Sequence, residues 1–436
     1  AISGGASLHL IHSLADNENI QYICNHNEQA SAMAADGYSR VSGNIGVAIT
    51  TSGPGATNLI TGICCSYYDS VPTLFITGQV STFRMKGDTG VRQIGFQETP
   101  IVDVVKSITK YAHTINHPSE IKYQIQKALH ISRSGRPGPV LIDIPDDLQR
   151  ANIDSSLLKN FQPDIEQEKG KLTDTILNIM SMIKRSKRPV IIAGWGVHLS
   201  KTQSDFIKFS EDLNMPIALT WGAADLIPFD HELYIGTFGT HGNRHANFAV
   251  QNADLIISFG SRLDTKSTGT PVNTFARKAK KIMVEIDINE LNKFKKFDLK
   301  FDKLIHCDLK DFFDEVKKIN IKKFFNKHDD WVNQINQWQE TFNAFDDRKN
   351  LSTTQVNPYN FVDRISDNLK ENSKVFIDTG CSIAWFMQSI RTPATVRVFH
   401  DFNNTAMGWA LPASIGGYYA DLGKSPIVTI VGDGGF

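Results

Sequence analysis

Short apolar runs alternate with amphipathic stretches through the first third of the chain. Strands are predicted where β-branched and other apolar residues cluster, at 20–24, 45–51, 73–77, 111–115 and 140–144, with helices such as 28–41 and 56–68 between them. Several of these runs are apolar almost throughout, which is typical of a parallel sheet covered on both faces. The pattern therefore predicts a doubly wound α/β domain over residues 1–150.

The same alternation then begins again twice. A polar stretch at 151–171 indicates a linker. After it, strands at 189–193, 254–259, 281–286 and 304–307 predict a Rossmann-like domain over residues 172–320. A stretch rich in Lys, Asn and Trp at 317–357 indicates a second connection, and strands at 374–378 and 427–431 begin a third unit over 357–436. The predicted fold class is α/β, with three doubly wound parallel-sheet domains in series and the third incomplete.

The two ends of the chain have an unusual pattern for a βαβ protein. The first six residues, AISGGA, form a turn that leads into a helix without a strand before it, and the last seven, IVGDGGF, carry an apolar strand into a Gly-rich loop. We therefore expect this chain to be a fragment, or the ordered part, of a longer protein.

Composition excludes several classes of partner. The 46 Lys and Arg balance the 46 Asp and Glu, so the formal net charge is zero. The chain therefore has no net positive charge to attract nucleic acid, and no excess of acidic residues of the kind typical of disordered proteins. No run of about 18 apolar residues predicts a membrane span. The five cysteines are scattered and lack CxxC pairing, which argues against disulfides and zinc. Without a signal-peptide pattern, a cytoplasmic location is expected.

Four short motifs follow predicted strands. Glu28 opens a helix, where a carboxylate complements the helix dipole, and residues 52–58 (SGPGATN) form a turn whose amides either face an anion or cap a helix. Residues 96–98 (FQE) lie on a long Gly-containing loop, either functional or simply solvated. Asp433, between two glycines at a strand end, suits Mg²⁺ or an ordinary turn. Each motif alone has a purely structural explanation.

Together, in this order and at these spacings, the motifs resemble the thiamine-diphosphate-dependent enzymes of the acetohydroxyacid synthase type. The resemblance covers essentially the whole chain. Similarity to that family's pyrimidine-binding domain lies at residues 27–40, 51–58, 77–80, 96–98 and 134–140. Similarity to its diphosphate-binding domain lies at residues 405–413 and 432–434.

The resemblance implies roles for individual residues. Glu28 would hydrogen-bond N1′ of the aminopyrimidine and favour the imino tautomer, whose nitrogen removes the C2 proton. The carbonyl of Thr405 would accept from the 4′-amino group, and Met407 would hold the cofactor bent. The space beside C2, where a 2-oxo acid adds and loses CO₂, would be lined by Gln97, Gly5 and Ala6.

The same resemblance implies a metal, a diphosphate site and an oligomer. Asp433 would bind Mg²⁺, and the family's second ligand, an Asn, would lie beyond Phe436. The family places its cofactor between the first domain of one subunit and the third of another, so a homodimer or tetramer is expected. The diphosphate would contact Gly380, Cys381, Ser382, Gly432, Gly434 and Gly435.

The middle domain resembles the flavin-binding domain of these enzymes. Trp195 stands where the family prefers a small residue, and its bulk would crowd a flavin. Thr265 and Lys266 replace an Asp-Arg pair that grips the second substrate's carboxylate, and Lys offers a point charge instead of a bidentate fork. FAD, if bound, would contact His241, Arg262, Asp287 and Asp308.

The function implied is decarboxylation of pyruvate, or a close 2-oxo acid, and transfer of the two-carbon unit to a second carbonyl, as in acetolactate synthase. The change at Thr265 and Lys266 and the stretch 87–93 leave open a ligase that adds an acetyl unit to a nucleotide-linked keto sugar in surface polysaccharide synthesis. A non-catalytic nucleotide- or flavin-binding subunit is disfavoured, because such a binder gives Glu28 no reason to accompany Met407 and Asp433.

Overall fold

The computed structural model describes residues 1–163, 172–342 and 354–436. They form two compact units. Unit 1 comprises the described residues of Ala1–Glu166, Phe376–Thr379 and Phe399–Phe436, and unit 2 those of Gln167–Val375 and Gly380–Val398. Parts of the two predicted connections, at 164–171 and 343–353, lie outside the described residues.

The first sheet has four parallel strands in the order β1-β2-β4-β3. Its strands are β1 Gly46–Thr50, β2 Thr73–Gln79, β3 Tyr111–Thr114 and β4 Val140–Pro145. The helices of this segment are α1 Leu8–Ala15, α2 Glu28–Ser42, α3 Pro54–Thr57, α4 Ile60–Tyr68, α5 Ile101–Val105, α6 Ile121–Arg133 and α7 Asp146–Gln149. β2 and β4 are buried along their length except at one residue of β2, as their continuous apolar runs predict.

Two predictions in this segment are wrong. Residues 20–24 form no strand: most of them are exposed, and at the edge strand β1 it is the amide of Ile2 that bonds to the carbonyl of Ile49. The single helix expected at 56–68 is divided into α3 and α4. The amide of Leu59 bonds to Ala56, three residues back, and this tighter 3₁₀-type bond separates the two helices.

The second sheet has six parallel strands in the order β10-β9-β8-β5-β6-β7. Both of its faces are buried: Ile191 and Ile257 pack on one side and Val190 and Ile256 on the other. The strands are β5 Pro189–Ala193, β6 Ile217–Leu219, β7 Tyr234–Thr237, β8 Leu255–Phe259, β9 Lys280–Glu285 and β10 Lys303–His306. The helices are α8 Thr173–Arg185, α9 Gly196–Leu199, α10 Gln203–Leu213, α11 Arg244–Asn252, α12 Thr265–Thr268, α13 Ile288–Asn292, α14 Leu309–Val316 and α15 Asp329–Thr341.

The third sheet is smaller, with three strands in the order β12-β11-β13. Its elements are α16 Pro358–Asn368, β11 Lys374–Ile377, α17 Cys381–Ser389, β12 Arg397–Phe399, α18 Ala410–Ala420 and β13 Ile427–Ile430. The predicted α/β class, with three sheets in series and a short third domain, is confirmed. Within the described ranges, no helix combines the length and apolar character needed to cross a bilayer.

Segments from the two ends of the chain share one hydrophobic core in unit 1. Met33 of α2 and Cys65 of α4 pack with Phe376, Phe399 and Trp409. The later segment therefore completes the core that α2 and α4 begin, and it carries two of the predicted cofactor-binding stretches with it.

Candidate active site

The start of α2 presents Glu28. The side chain of Asn27 caps the helix, its Oδ1 accepting from the amides of Gln29 (2.8 Å) and Ala30 (3.3 Å). The Oε2 of Glu28 accepts from Nδ2 of Asn58 at 3.0 Å. Gly55 lies beside the same carboxylate, since a Cβ there would stand 3.4 Å from Oε1 of Glu28, an ordinary contact distance. Cap and amide together fix the direction of the partly buried carboxylate.

The opening turn of the chain lies at the carboxyl ends of β1 and β2. The amide of Ala6 donates to Oγ1 of Thr51 at 3.2 Å, and its carbonyl accepts from Nε2 of Gln149 at 2.7 Å. Gly78 leaves room for this carbonyl, because a Cβ on Gly78 would lie only 2.0 Å from it. Gly5, next to Ala6, is exposed.

Gln97 reaches the turn at residues 51–55 from the long loop. Its φ is +62°, and a Cβ on Gly53 would lie 3.0 Å from the Cβ of Gln97. The adjacent Glu98 is buried and accepts from the amides of Lys86 (2.6 Å), Ile94 (2.9 Å) and Gly95 (3.2 Å). Burial opposes ionisation, but these amides outweigh it and lower the pKa of Glu98. An ionised carboxylate thus organises the loop that exposes Gln97.

The predicted catalytic residues are therefore brought together in unit 1. Glu28 approaches Gly55, Ala6 bonds to Thr51, and Gln97 approaches Gly53, so all three surround residues 51–55. Ligands of parallel α/β sheets bind at this carboxyl edge. Three of the four motifs of the sequence, Glu28, residues 52–58 and residues 96–98, thus form one surface with the opening turn.

A second surface of unit 1 is built around Asp378, which follows β11. Its Oδ2 accepts from the amide of Gly408 at 2.8 Å, and a Cβ on Gly435 would lie 2.2 Å from the same oxygen. Its other oxygen is buried and has no hydrogen-bond partner in the part of the chain that the structure describes. A carboxylate and two glycines thus bring the turn before α18 against the loop after β13.

The predicted aminopyrimidine contacts border this surface. Thr405 has a φ of +53°, and the exposed Met407 places its sulfur 3.4 Å from where a Cβ on Gly434 would stand. Asp433 is exposed, and its Oδ1 accepts from the amide of Gly434 at 2.9 Å. The structure thus brings Met407 together with Gly434, and Thr405 lies two residues before Met407 in the same turn.

These residues fit a diphosphate with its Mg²⁺. Glycine at position 435 keeps the backbone open, an oxygen of Asp378 lacks a partner, and Asp433 offers a hard oxygen ligand. No group of three or more acidic, His or Cys side chains suited to a metal occurs in residues 1–163, 172–342 or 354–436. Asp433 would therefore share the ion with diphosphate oxygens, as Mg²⁺ sites commonly do.

The remaining predicted diphosphate contacts lie in unit 2, at the start of α17. Gly380 precedes the helix with a φ of +90°, and Cys381 and Ser382 are its first two residues. The amides of a helix N-terminus favour anions. Contact of these three residues with a diphosphate stays a prediction.

Three of the predicted flavin contacts share one edge of unit 2. Arg262, Asp287 and Asp308 follow the adjacent strands β8, β9 and β10. Asp287 caps α13 through the amide of Asn289 (2.9 Å), and Asp308 caps α14 through that of Lys310 (2.8 Å). Carboxylates at strand ends suit ribose hydroxyls, but here both cap helices, and flavin binding stays a prediction.

The fourth, His241, is separate from them. It follows β7, at the opposite edge of the sheet from β10. Its ring lies 6.0 Å from that of Trp221, and its carbonyl accepts from Nε2 of Gln388 at 3.0 Å. The bulky Trp195 follows β5 and lies with its ring 5.2 Å from that of His198. The four residues do not form a single cluster.

Two residues of these surfaces were not singled out from the sequence. Asn58, which orients Glu28, lies inside the Gly-rich motif, but nothing in the motif indicates its partner. Asp378 ends a predicted strand and precedes Thr-Gly, so a carboxylate at the carboxyl end of a strand was a usable signal.

A buried charge cluster lies beneath unit 1's second surface. Arg40 of α2 contacts Asp36 at 2.7 Å and Asp69 at 2.9 Å, and it donates to the carbonyl of His400 at 2.9 Å. Burial would lower the pKa of the guanidinium, but the two carboxylates raise it above its ordinary value. The cluster ties the turn after β12 to the first sheet's helices.

Comparison with known proteins agrees with this arrangement. Family models match residues 1–104 (thiamine pyrophosphate enzyme, N-terminal TPP binding domain), 176–315 (central domain) and 378–436 (C-terminal TPP binding domain). Thiamine pyrophosphate is another name for thiamine diphosphate.

Individual relatives align along the whole chain. The acetolactate synthase large subunit of Lactococcus lactis is 33% identical over 99% of this chain and 72% of its own length. A probable acetolactate synthase large subunit of Methanocaldococcus jannaschii is 33% identical over the same shares, 99% and 72%. The chloroplastic acetolactate synthase 1 of Nicotiana tabacum is 33% identical over 100% of this chain and 64% of its own length. The chain therefore belongs to the thiamine pyrophosphate enzymes and is related to acetolactate synthase large subunits.

Proposed function

We propose that this protein decarboxylates pyruvate, or a close 2-oxo acid, and transfers the remaining two-carbon unit to the carbonyl of a second 2-oxo acid. The names of its relatives support this reaction. The observation that carries it is the position of Glu28, which opens α2, bonds to Asn58 and lies beside Gly55 on the surface that also exposes Gln97. A carboxylate fixed in this way is suited to exchange a hydrogen bond with a ring nitrogen.

Each residue has a distinct task in this proposal. When bound, thiamine diphosphate supplies the electron sink that makes loss of CO₂ possible. Glu28 holds a proton at the aminopyrimidine nitrogen, and Asn58 keeps the carboxyl pointing there. Met407 offers an exposed apolar side chain to the cofactor, and Asp433 holds Mg²⁺. The amide of Gln97 orients the substrate.

We also propose that the active protein is at least a homodimer, following the family arrangement in which two subunits form each cofactor site. Light scattering after size-exclusion chromatography measures this directly. A mass equal to one chain under conditions of full activity would contradict the proposal.

The reaction is tested with the full-length protein, pyruvate, thiamine diphosphate and Mg²⁺, with acetolactate as the measured product. In E28Q the side chain keeps an oxygen for Asn58 but loses the acidic proton, so turnover should fall by about 100-fold or more. The matched control is E18Q, because Glu18 is also a glutamate of unit 1 but lies exposed outside the site. Equal turnover in E28Q and the wild type would remove Glu28 from the mechanism.

Lys266 favours a second candidate function that differs only in the acceptor. Its ammonium lies 5.5 Å from the centroid of the Trp221 ring. A point charge over an aromatic face grips a carboxylate less specifically than the guanidinium fork of Arg. The second candidate is therefore a ligase that passes the acetyl unit to a nucleotide-linked keto sugar. Product from pyruvate plus such a sugar, with no acetolactate from pyruvate alone, would favour it over the first.

A further inference from the structure

Asp401 lies buried beneath the turn that carries Thr405 and Met407. Its Oδ2 accepts from the backbone amide of Ala406 at 2.8 Å. The thiol of Cys65, on α4, donates to the same oxygen at 3.2 Å. One carboxyl oxygen thus joins α4 to the amide between the two residues predicted to contact the aminopyrimidine.

The turn above Asp401 has a conformation that needs support. Thr405 is β-branched and has a φ of +53°, a region that such residues rarely adopt unless neighbouring contacts fix them. The amide that donates to Asp401 belongs to Ala406, the residue directly after Thr405. A further contact joins Nδ2 of Asn404 to the sulfur of Cys65 at 3.4 Å. The bonds to Asp401 and Cys65 therefore lie on both sides of Thr405.

The beginning of the same turn is fixed by Asp69, the residue that follows α4. Its two oxygens accept from the amides of Phe402 (2.7 Å) and Asn403 (3.1 Å) and from the side-chain amide of Asn403 (2.6 Å). Arg40 in turn holds Asp69 at 2.9 Å. Asp69 therefore fixes residues 402–403, whereas Asp401 is the buried acceptor for the later part of the turn, which carries Thr405 and Met407.

We propose that Asp401 is a positioning residue for thiamine diphosphate: by accepting from Ala406 it sets the direction of the Thr405 carbonyl and of the Met407 side chain. The proposal rests on the proposed function to the extent that this turn receives the aminopyrimidine. Asp401 touches neither cofactor nor substrate and acts only through the backbone.

The surroundings of Asp401 indicate that it acts as an acceptor and not as a charge. The charged and titratable groups that face it are Asp36 and Arg40 from α2, Cys64 and Cys65 from α4, and Asp69, which follows α4. Burial and the nearby Asp69 raise the pKa of Asp401 to about 7, against the opposing effect of Arg40. Near neutral pH the carboxyl is therefore partly protonated, and asparagine, with one acceptor oxygen and no charge, resembles the protonated form.

The test measures binding of thiamine diphosphate with Mg²⁺ to the full-length protein, by calorimetry. D401N keeps an oxygen for Ala406 and should bind like the wild type. D401L, similar in size but apolar, leaves that amide without a partner and should bind about tenfold more weakly or worse. Hydrogen exchange of residues 400–409 in the cofactor-free protein should be faster in D401L and unchanged in D401N.

Asp143 provides the matched control. It is buried in the same unit, and burial raises its pKa to about 7 as well, but its partners are Thr77, Gln79 and Thr114 of the first sheet. D143L should lose thermal stability while the folded protein keeps its affinity for thiamine diphosphate. If D401L does not fold, D401A replaces it. Alanine leaves a small cavity instead of a bulky apolar side chain, and D401A should likewise bind thiamine diphosphate about tenfold more weakly or worse.

Two results would overturn the proposal. One is wild-type affinity in folded D401L or D401A. The other is an equal loss in D401N and D401L, which would mean that the charge matters and not the acceptor. A wild-type protein that does not bind thiamine diphosphate would instead contradict the proposed function, so the two failures are distinguishable.

Discussion

Gly37 of α2 lies directly against Ala413 of α18: a Cβ on Gly37 would stand 2.1 Å from the carbonyl oxygen of Ala413. The contact is reciprocal, because a Cβ on Gly416 would stand 1.8 Å from the carbonyl of Ala34. Two helices far apart in the sequence therefore approach at backbone distance within unit 1. Their spacing fixes the start of α2, with Glu28, relative to the turn that precedes α18.

Adding one methyl group at this contact should separate the helices. G37A cannot be accommodated by side-chain movement, since the clash is with backbone, and we expect a loss of about 1–3 kcal/mol or more in the free energy of unfolding. Thermal unfolding measures it. G5A is the control for stability, because a Cβ on Gly5 would meet no atom of the described residues within 4 Å. Equal melting temperatures for the two variants would contradict the close approach.

Removing Arg40 should be far more harmful than removing an exposed arginine. R40A leaves the carboxylates of Asp36 and Asp69 buried without their cation, which typically costs about 3–5 kcal/mol. R150A breaks the ion pair between Arg150 and Asp146. The Arg150 side chain is 52% exposed, and exposed ion pairs contribute at most about 1 kcal/mol to stability. Urea unfolding of both variants compares them. A similar small loss in each would show that the buried cluster contributes little.

Asp143 should make stability fall as the pH rises from about 4 to about 7. Burial raises its pKa from 3.8 to about 7 in the folded protein. In this window the folded protein keeps the proton that the unfolded chain has lost, so raising the pH favours unfolding, by on the order of 4 kcal/mol in full.

D143N cannot titrate, so its unfolding midpoint in urea should fall less between pH 5 and pH 8 than that of the wild type. Measuring both proteins at the two pH values cancels the contribution of other groups, including Asp401. Parallel pH profiles would mean that Asp143 keeps an ordinary pKa in the folded protein.

A side chain at position 435 should weaken cofactor binding. In G435A the new Cβ would stand 2.2 Å from Oδ2 of Asp378, and this displaces the carboxylate from the amide of Gly408. We expect an affinity for thiamine diphosphate lower by about tenfold, the cost of one broken hydrogen bond to a charged group. G138A is the control, since a Cβ there meets only the flexible side chain of Lys110. Unchanged affinity in G435A would separate this loop from the cofactor site.

Long apolar runs and a capped helix made much of the fold predictable from the sequence. β1, β2, β4 and α2 lie within a residue or two of their expected positions, because burial on both faces or a strong cap leaves a clear pattern. β6 and β12 have three residues each, too few for a period to be recognised, and neither was predicted. Residues 20–24 have the composition of a strand but pair with no described strand of the first sheet, and pairing depends on tertiary structure that composition alone does not predict.

The candidate site was predictable where glycines mark a strand end, as at residues 52–58, or flank an acidic residue there, as at residues 432–434. Asp69 and Asp401 carry no such mark. Asp69 accepts from the amide of Phe402, 333 positions later in the chain, and only the folded arrangement of α4 and the turn after β12 joins them. Local sequence therefore indicates candidate ligand-binding turns, whereas the buried residues that hold those turns depend on tertiary contacts.

The bond between Arg40 and the carbonyl of His400 spans 360 positions, and this has a consequence for synthesis on the ribosome. When α2 and α4 emerge, Arg40 can meet Asp36 and Asp69, but Phe399, Phe402 and Trp409 do not yet exist. Domains generally fold in order of synthesis. The side chains of Met33 and Cys65 on the nascent first domain therefore stay uncovered while the six-stranded domain is translated. A ribosome that stalls anywhere in that interval would leave an apolar face for chaperones to protect.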